Sequence, residues 1–432
     1  MVSESRAAIT TDPTDGSCAS PDGTNYCDGG STGTCHCDAG CEARGDCCAD
    51  KIEVCGETTP TCAVDNPGAP PTLVRHGAIE LTAPIRVVGG DFDGDGDNDL
   101  VAIDVINNEQ RIRTYANDGT GSFTLVADRA EVYYPYELAT GDLDGDGRLD
   151  LAFVGGSGPI CRLVTLLGNG DGSFGARANL SAFEQTFELA LVDLDRDGDL
   201  DVALSDNKHL TARLNDGHGQ FGAQAPYLLG KTGAYRLDVA DFDGDGNIDL
   251  LASHERSPGG MTILRGNGNG TFDGAGQRFI QLEKQVGEIV TPDLDHDGHR
   301  DVVYAAWNYP KVIGVRRGVG GGNLDPNVFE YVPGGDRPRY LDAADMNCDG
   351  DADIIARSET GSTGGWITIF PGDGSGLLED GAFTKAYGLR DVDLVDLDGD
   401  HVPDVAAVRR ADGWFGDPAA HEVTIFLTRL AP

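Results

Sequence analysis

The stretch Asp91-Phe92-Asp93-Gly94-Asp95-Gly96-Asp97-Asn98-Asp99 decides how this chain is read. It sets carboxylates at its first, third, fifth and ninth positions and a glycine at the sixth, and related loops start at Asp142, Asp193, Asp241, Asp293, Asp345 and Asp396. The seven starts are separated by 51, 51, 48, 52, 52 and 51 residues. Around each loop the order is similar. An apolar strand ending in small residues (85–90, 237–240) enters it, and a second strand (100–103, 151–154, 202–204, 250–252) leaves it. A variable hairpin and a third strand (164–167) follow, and then a glycine-rich turn such as Gly168-Asn169-Gly170-Asp171-Gly172-Ser173-Phe174 opens a fourth, outer strand. A period near 50 suits one four-stranded blade, so the predicted fold is all-β, a seven-bladed β-propeller. Gly 62 and Pro 20, with no long apolar stretch of helical period, agree with many turns.

Carboxylates at positions 1, 3, 5 and 9, a backbone carbonyl at 7 and a sharp turn at 6 offer the hard oxygen ligands that calcium prefers. The candidate ligands are Asp91, Asp93, Asp95, Asp97 and Asp99 in loop one, and Asp142, Asp144, Asp146, Arg148 and Asp150 in loop two. Loop three supplies Asp193, Asp195, Asp197, Asp199 and Asp201, and loop four Asp241, Asp243, Asp245, Asn247 and Asp249. Asp293, Asp295, Asp297, His299 and Asp301 follow in loop five, Asp345, Asn347, Asp349, Asp351 and Asp353 in loop six, and Asp396, Asp398, Asp400, Val402 and Asp404 in loop seven. Without a cation such loops repel themselves: two charges about 4 Å apart cost about 4 kcal/mol at an effective dielectric of 20. Up to seven structural Ca2+ ions are expected. An EF-hand would need a glutamate at position 12, where Ala102 and Phe153 stand in the first two loops. Loop six, with Asn347 at position 3, and loop seven, with His401 in place of the glycine, are expected to bind most weakly.

The acidic loops and G-x-G-x-F turns resemble FG-GAP or VCBS repeats, over roughly residues 72–432. The resemblance implies an integrin-like propeller whose metal sites are structural. The chain ends on a third strand, 423–427, while Thr72-Leu73-Val74 aligns with the outer-strand start Thr124-Leu125-Val126. The N-terminal strand is therefore expected to complete the last blade and cover its edge.

Ahead of the repeats, Cys18, Cys27, Cys35, Cys37, Cys41, Cys47, Cys48 and Cys55 crowd a stretch with little apolar material. So small a core needs covalent staples, and this density points to an oxidising compartment. The adjacent Cys47-Cys48 and the close Cys35-x-Cys37 pair fit disulfides better than zinc. The run from Cys35 to Cys55 resembles the somatomedin B domain, with departures at the Cys18 to Cys27 spacing and at Lys51. Arg44-Gly45-Asp46 spells an integrin-recognition tripeptide, although that resemblance by itself supplies Gly45-Asp46 before the paired cysteines. The expected organisation is a disordered segment at 1–16, the somatomedin B-like knot at 17–56, a linker at 57–71 and the propeller at 72–432. Of the remaining cysteines, a Cys62–Cys348 bridge is preferred over Cys161–Cys348.

Lys+Arg 32 against Asp+Glu 72 gives a formal charge of −40, which disfavours nucleic acid and anionic membrane surfaces as partners. No apolar run is long enough to span a membrane, and residues 1–11 lack the apolar core of a signal peptide, so a leader would be missing, trimmed or unconventional. Secretion or cell-surface exposure is expected. No nucleophile or general-base motif and no basic cleft is evident, so a non-catalytic role is expected. Tyr133, Tyr134, Tyr136, Tyr227, Trp307, Tyr309, Trp366, Trp414 and Phe415 should gather near the face opposite the acidic loops. Tyr134, Tyr136, Trp307, Tyr309, Trp366 and Trp414 are candidate contacts for a glycan or an extracellular protein ligand. The alternative role for these aromatics is to cap blade interfaces. The rival functions are the propeller of a polysaccharide-degrading enzyme and an assembly protein acting through the knot.

Overall fold

The computed structural model describes residues 68–430 apart from 132, 157–160, 182–185, 224, 232, 256–258, 283–284, 307–310, 335–336, 361–363, 387 and 411–420. The cysteine-rich segment, Cys62, Trp307, Tyr309, Trp414 and Phe415 thus lie outside the described residues. The strands, numbered β1 to β28 in chain order, form seven four-stranded antiparallel sheets. Blade one runs outward through β2 (Pro84–Gly90), β3 (Asp99–Ile106), β4 (Glu109–Asn117) and β5 (Phe123–Glu131). The inner strands of blades two to seven are β6 (Tyr134–Gly141), β10 (Thr186–Val192), β14 (Ala234–Ala240), β18 (Val286–Val290), β22 (Arg337–Ala344) and β26 (Leu389–Val395). No helix able to cross a membrane occurs among the described residues.

Blade seven is composite. Its sheet order is β1-β28-β27-β26, where β1 (Pro71–Glu80) supplies the outer strand beside β28 (Glu422–Leu430) and β27 (Asp404–Arg409). The expected closure of the ring by the N-terminal strand is what the topology shows.

The core lies between blades. Alternate residues of a strand face opposite sides of its sheet, and here both sides are covered by a neighbouring sheet. In β3, Val101 and Ile103 pack with Leu151, Phe153 and Val164 of blade two, whereas Leu100 and Ala102 pack with Val408, Val423 and Ile425 of blade seven. Seven such clusters, one per junction, explain why these strands read as continuous apolar runs.

Each of the seven inner strands also carries a register shift at the same place: between Pro84 and Arg86, Pro135 and Glu137, Thr186 and Glu188, Ala234 and Arg236, Val286 and Ile289, Pro338 and Tyr340, and Leu389 and Asp391. A β-bulge bends the strand and re-aims the next side chain. The residue five before each acidic loop follows the shift or falls within it, giving the series Arg86, Glu137, Glu188, Arg236, Glu288, Tyr340 and Asp391.

Candidate metal centres and channel mouth

Each acidic loop joins an inner strand to the second strand of its blade, and one local grammar builds all seven. The position 1 carboxylate accepts backbone N–H groups from inside its own loop, as in Gly94 to Asp91 Oδ1 at 2.7 Å and Gly96 to Asp91 Oδ2 at 3.1 Å. The position 5 carboxylate accepts the N–H of position 7, from Asp97 to Asp95 at 3.0 Å in loop one through Val402 to Asp400 at 3.0 Å in loop seven. To wind this tightly the chain turns left-handed twice. Position 6 has φ between 65° at His401 and 95° at Gly96, and position 4 is positive as well. Only position 6 is anticipated from the sequence. Position 4 holds Arg196, His296 and Cys348 at φ 64°, 55° and 62°, so backbone strain extends to loops three, five and six as well as seven.

The position 9 aspartates are fully buried and do a second job. Asp249 accepts the N–H of Phe242 at 3.1 Å and that of Gly266 at 2.8 Å, clasping its loop to the glycine-rich turn of the same blade. Asp99, Asp150, Asp201, Asp301, Asp353 and Asp404 repeat the pair of bonds. Burial pushes these carboxyls up, against the lowering effect of the N–H donors: to about 6 at Asp99, Asp150 and Asp301, about 7 at Asp201 and Asp249, and about 8 at Asp353 and Asp404. Replacing Asp249 by Ala should strand two buried N–H groups and cost about 2–4 kcal/mol. Urea unfolding in chelator would check this without a metal contribution, and a loss below about 0.5 kcal/mol would contradict the clasp.

In loops two to five, positions 1, 3 and 5 converge on a common point. Ligand atoms within 4.8 Å of one another come from Asp142, Asp144 and Asp146, from Asp193, Asp195 and Asp197, from Asp241, Asp243 and Asp245, and from Asp293, Asp295 and Asp297. In loop one the set is Asp91, Asp93 and Asp99. The Oδ1 atoms of Asp144, Asp195, Asp293, Asp295 and Asp398 are buried with no hydrogen-bond donor among the described residues. Buried acceptors without donors, packed against like charges, are suited to a cation. Burial first and neighbouring carboxylates next push up Asp93, Asp144, Asp243 and Asp295, and Asp195 to about 6.

The loops differ in a way their own sequences do not reveal. Arg265 stands 3.0 Å from Asp243, Arg317 4.0 Å from Asp295, and Arg429 2.7 Å from Asp398, so loops four, five and seven have a guanidinium beside position 3. The glycine-rich turns lie on the same face as the acidic loops. Gly172 donates to the Phe92 carbonyl at 3.0 Å, and Gly270 to that of Leu194 at 3.0 Å, tying each turn to the loop of the preceding blade.

Along the body of the inner strands a cavity of about 320 Å³ occupies the central channel. Its lining joins Arg86, Arg236, Arg339, Arg357 and Arg390 to Glu137, Asp238, Glu288, Asp342, Glu359, Asp391 and Asp393, so the fold gathers arginines that are scattered in the sequence into a mixed-charge cluster. Arg86 lies 3.4 Å from Asp391 and 3.7 Å from Glu137, and Arg236 lies 2.9 Å from Glu188 and 3.3 Å from Glu288. The fixed offset of five residues before each acidic loop was the available signal for Arg86, Arg236 and their carboxylate partners in the series.

The candidate aromatics separate. Tyr134 and Tyr136 stay together, with ring centroids 5.7 Å apart, and the Tyr136 carbonyl accepts the Arg86 Nε–H at 2.8 Å. Trp366 packs edge-on to Phe383 with Lys385 over its ring, away from the channel cavity. Tyr227 packs on Phe272, and its hydroxyl accepts the Phe272 N–H at 3.1 Å, which makes it a blade-interface residue. Cys348 is disulfide-bonded, and the expected partner Cys62 lies outside the described residues. Cys161 is a buried thiol outside any disulfide, so the Cys161–Cys348 pairing is not formed. The N–H of Gly68 donates to the Asn347 carbonyl at 2.8 Å, holding the start of the described chain beside loop six.

No curated protein matches the chain in sequence. Among solved structures, the chain is similar to a lectin of Agrocybe aegerita described as recognising non-reducing terminal N-acetylglucosamine, at 17% identity and TM-score 0.50 over 85% of this chain and 86% of that one. It is also similar to the BP39L lectin of Burkholderia pseudomallei, at 13% identity and TM-score 0.54 over 82% and 97%. A third similar structure is BBS1N, solved in complex with ARL6DN, at 12% identity and TM-score 0.54 over 82% and 96%. At these identities the likeness is one of fold. The model of the FG-GAP-like repeat matches residues 91–153, 142–204, 193–252, 241–304 and 293–356, together more than half of the chain, and the protein belongs to the FG-GAP-like repeat family.

Proposed function

We propose that this is a secreted, calcium-stiffened recognition protein that binds carbohydrate without turning it over. The observation that carries the reading is the division of labour between the acidic loops and the central channel. The acidic loops are consumed in local turns, clasps and cation-suited clusters, while the inner strands enclose a polar, charge-lined cavity, with an aromatic pair next to Arg86. Such a cavity supplies oriented donors and acceptors for hydroxyl groups, with Tyr134 and Tyr136 offering apolar faces to a sugar ring. The two lectins that share this fold favour a glycan. The complex of the third structure keeps a protein ligand as the second reading. Calcium would be held by positions 1, 3 and 5, and would supply structural crosslinks.

A glycan array probed in calcium, with parallel assays for new reducing ends or unsaturated products, tests the proposal. Retention of a defined glycan class without turnover is the expected result. Product formation would make the protein an enzyme, and silence on both would shift weight to a protein ligand or to assembly through the cysteine-rich segment.

A further inference from the structure

The channel mouth breaks the sevenfold repetition of the fold at one place. Every residue lining the cavity comes from an inner strand except Arg357 and Glu359, which belong to β23 (Asp353–Thr360), the second strand of blade six. They enter where β26 of blade seven packs on β23. Arg357 is 8% exposed, and its Nη1 donates to the Leu389 carbonyl at 3.2 Å. Its Nε has no acceptor among the described residues. The Glu359 carboxylate, itself 41% exposed, lies 3.8 Å from Arg357 and 3.5 Å from Arg339. Arg390, exposed on β26, lines the same edge of the cavity.

A buried guanidinium is costly unless its donors are met by an anion or by oriented acceptors. Burial pushes Arg357 down to about 10, with Asp391 and Glu359 opposing and Arg86 and Arg236 adding to the fall. Arg86 and Arg236 each lie near two carboxylates, whereas the carboxylate beside Arg357 is that of the exposed Glu359, and the Arg357 Nε has no acceptor among the described residues. Arg339, Arg357 and Arg390 share this edge with Asp342, Glu359, Asp391 and Asp393, so an incoming carboxylate would reach Arg357 by displacing the exposed Glu359.

We propose that the blade six and seven edge of the channel mouth is a carboxylate subsite for an acidic sugar, with Arg357 as its buried donor and Arg339 and Arg390 flanking it. This inference rests on the carbohydrate reading above and adds the substrate class to it. A planar carboxylate takes paired N–H donors from a guanidinium, which a neutral hydroxymethyl group at the same ring position cannot match.

The test is titration calorimetry at fixed free calcium with trigalacturonate, its methyl ester and neutral galactotriose, on the unaltered protein and on Arg357→Met and Arg390→Ala. Trigalacturonate is expected to bind about tenfold or more tightly than its ester, and each substitution to remove most of that preference while leaving ester binding alone. Arg390 is exposed, so its variant keeps the test valid if Arg357→Met fails to fold. Equal binding of acid and ester, or acid binding indifferent to both substitutions, overturns the subsite and leaves the carbohydrate reading standing. Failure of every glycan on the array would remove the carbohydrate reading itself.

Discussion

Removing calcium with a chelator at neutral pH is expected to lower the unfolding midpoint by on the order of 10 °C or more. An ion held only by the folded chain stabilises it by about 2.7 kcal/mol at a hundredfold excess over its dissociation constant, and several independent loops add their shares. The loops have the anatomy for this, with acidic oxygens gathered within 4.8 Å and buried acceptors left without donors. Chelation restores the like-charge repulsion at seven points of one face. Filling should be graded. Loops one and two have glycine at both left-handed positions and no arginine paired with position 3, so they should bind most tightly. Loop six, with Asn347, and loop seven, with both His401 and Arg429, should bind most weakly. Differential scanning calorimetry with and without chelator, followed by calcium titration of the stripped protein, checks both statements. An unmoved midpoint would overturn the metal reading, and seven equal sites would overturn the ranking.

What the chain discloses in its sequence follows from what repeats. Seven acidic loops at one period are enough to specify blade number, strand order and ring closure, because each blade copies the same strand-loop-strand grammar. The double duty of position 9 is hidden for the same reason. Asp99 and its counterparts read as ligands beside Asp91 and Asp93, and only the fold reveals that they also accept two backbone N–H bonds. Features assembled from outside the repeating loop are not legible at all. The arginines beside Asp243, Asp295 and Asp398 come from chain segments outside those loops. The channel mouth joins Arg86 to Asp391, residues separated by 305 positions. Arg357 is the extreme case, the one basic residue of its strand, whose environment exists only once blades six and seven meet.

Truncation to begin at Leu81 is expected to convert the protein from a monodisperse propeller into self-associating species and to reduce its stability by on the order of 5 kcal/mol. The strand lost is β1, which pairs with β28 from Pro71 opposite Leu430 to Glu80 opposite Glu422. Leu73 and Ile79 pack on the clusters of the sixth and first junctions of blade seven, and Arg75 reaches Glu422 at 3.1 Å. With β1 gone, β28 becomes an edge strand, and its Val423, Ile425 and Leu427, now 0–3% exposed, lose the outer cover of their sheet. An edge strand of this length and apolarity is a template for pairing with another chain. The N-terminal segment ahead of β1 disappears in the same truncation, so a second variant beginning at Gly68 separates the effects: it lacks that segment but keeps β1. Light scattering and thermal unfolding should find the Gly68 variant close to the full chain in association state and the Leu81 variant aggregated. If both behave alike, ring closure by β1 is not what keeps this propeller folded and apart from its neighbours.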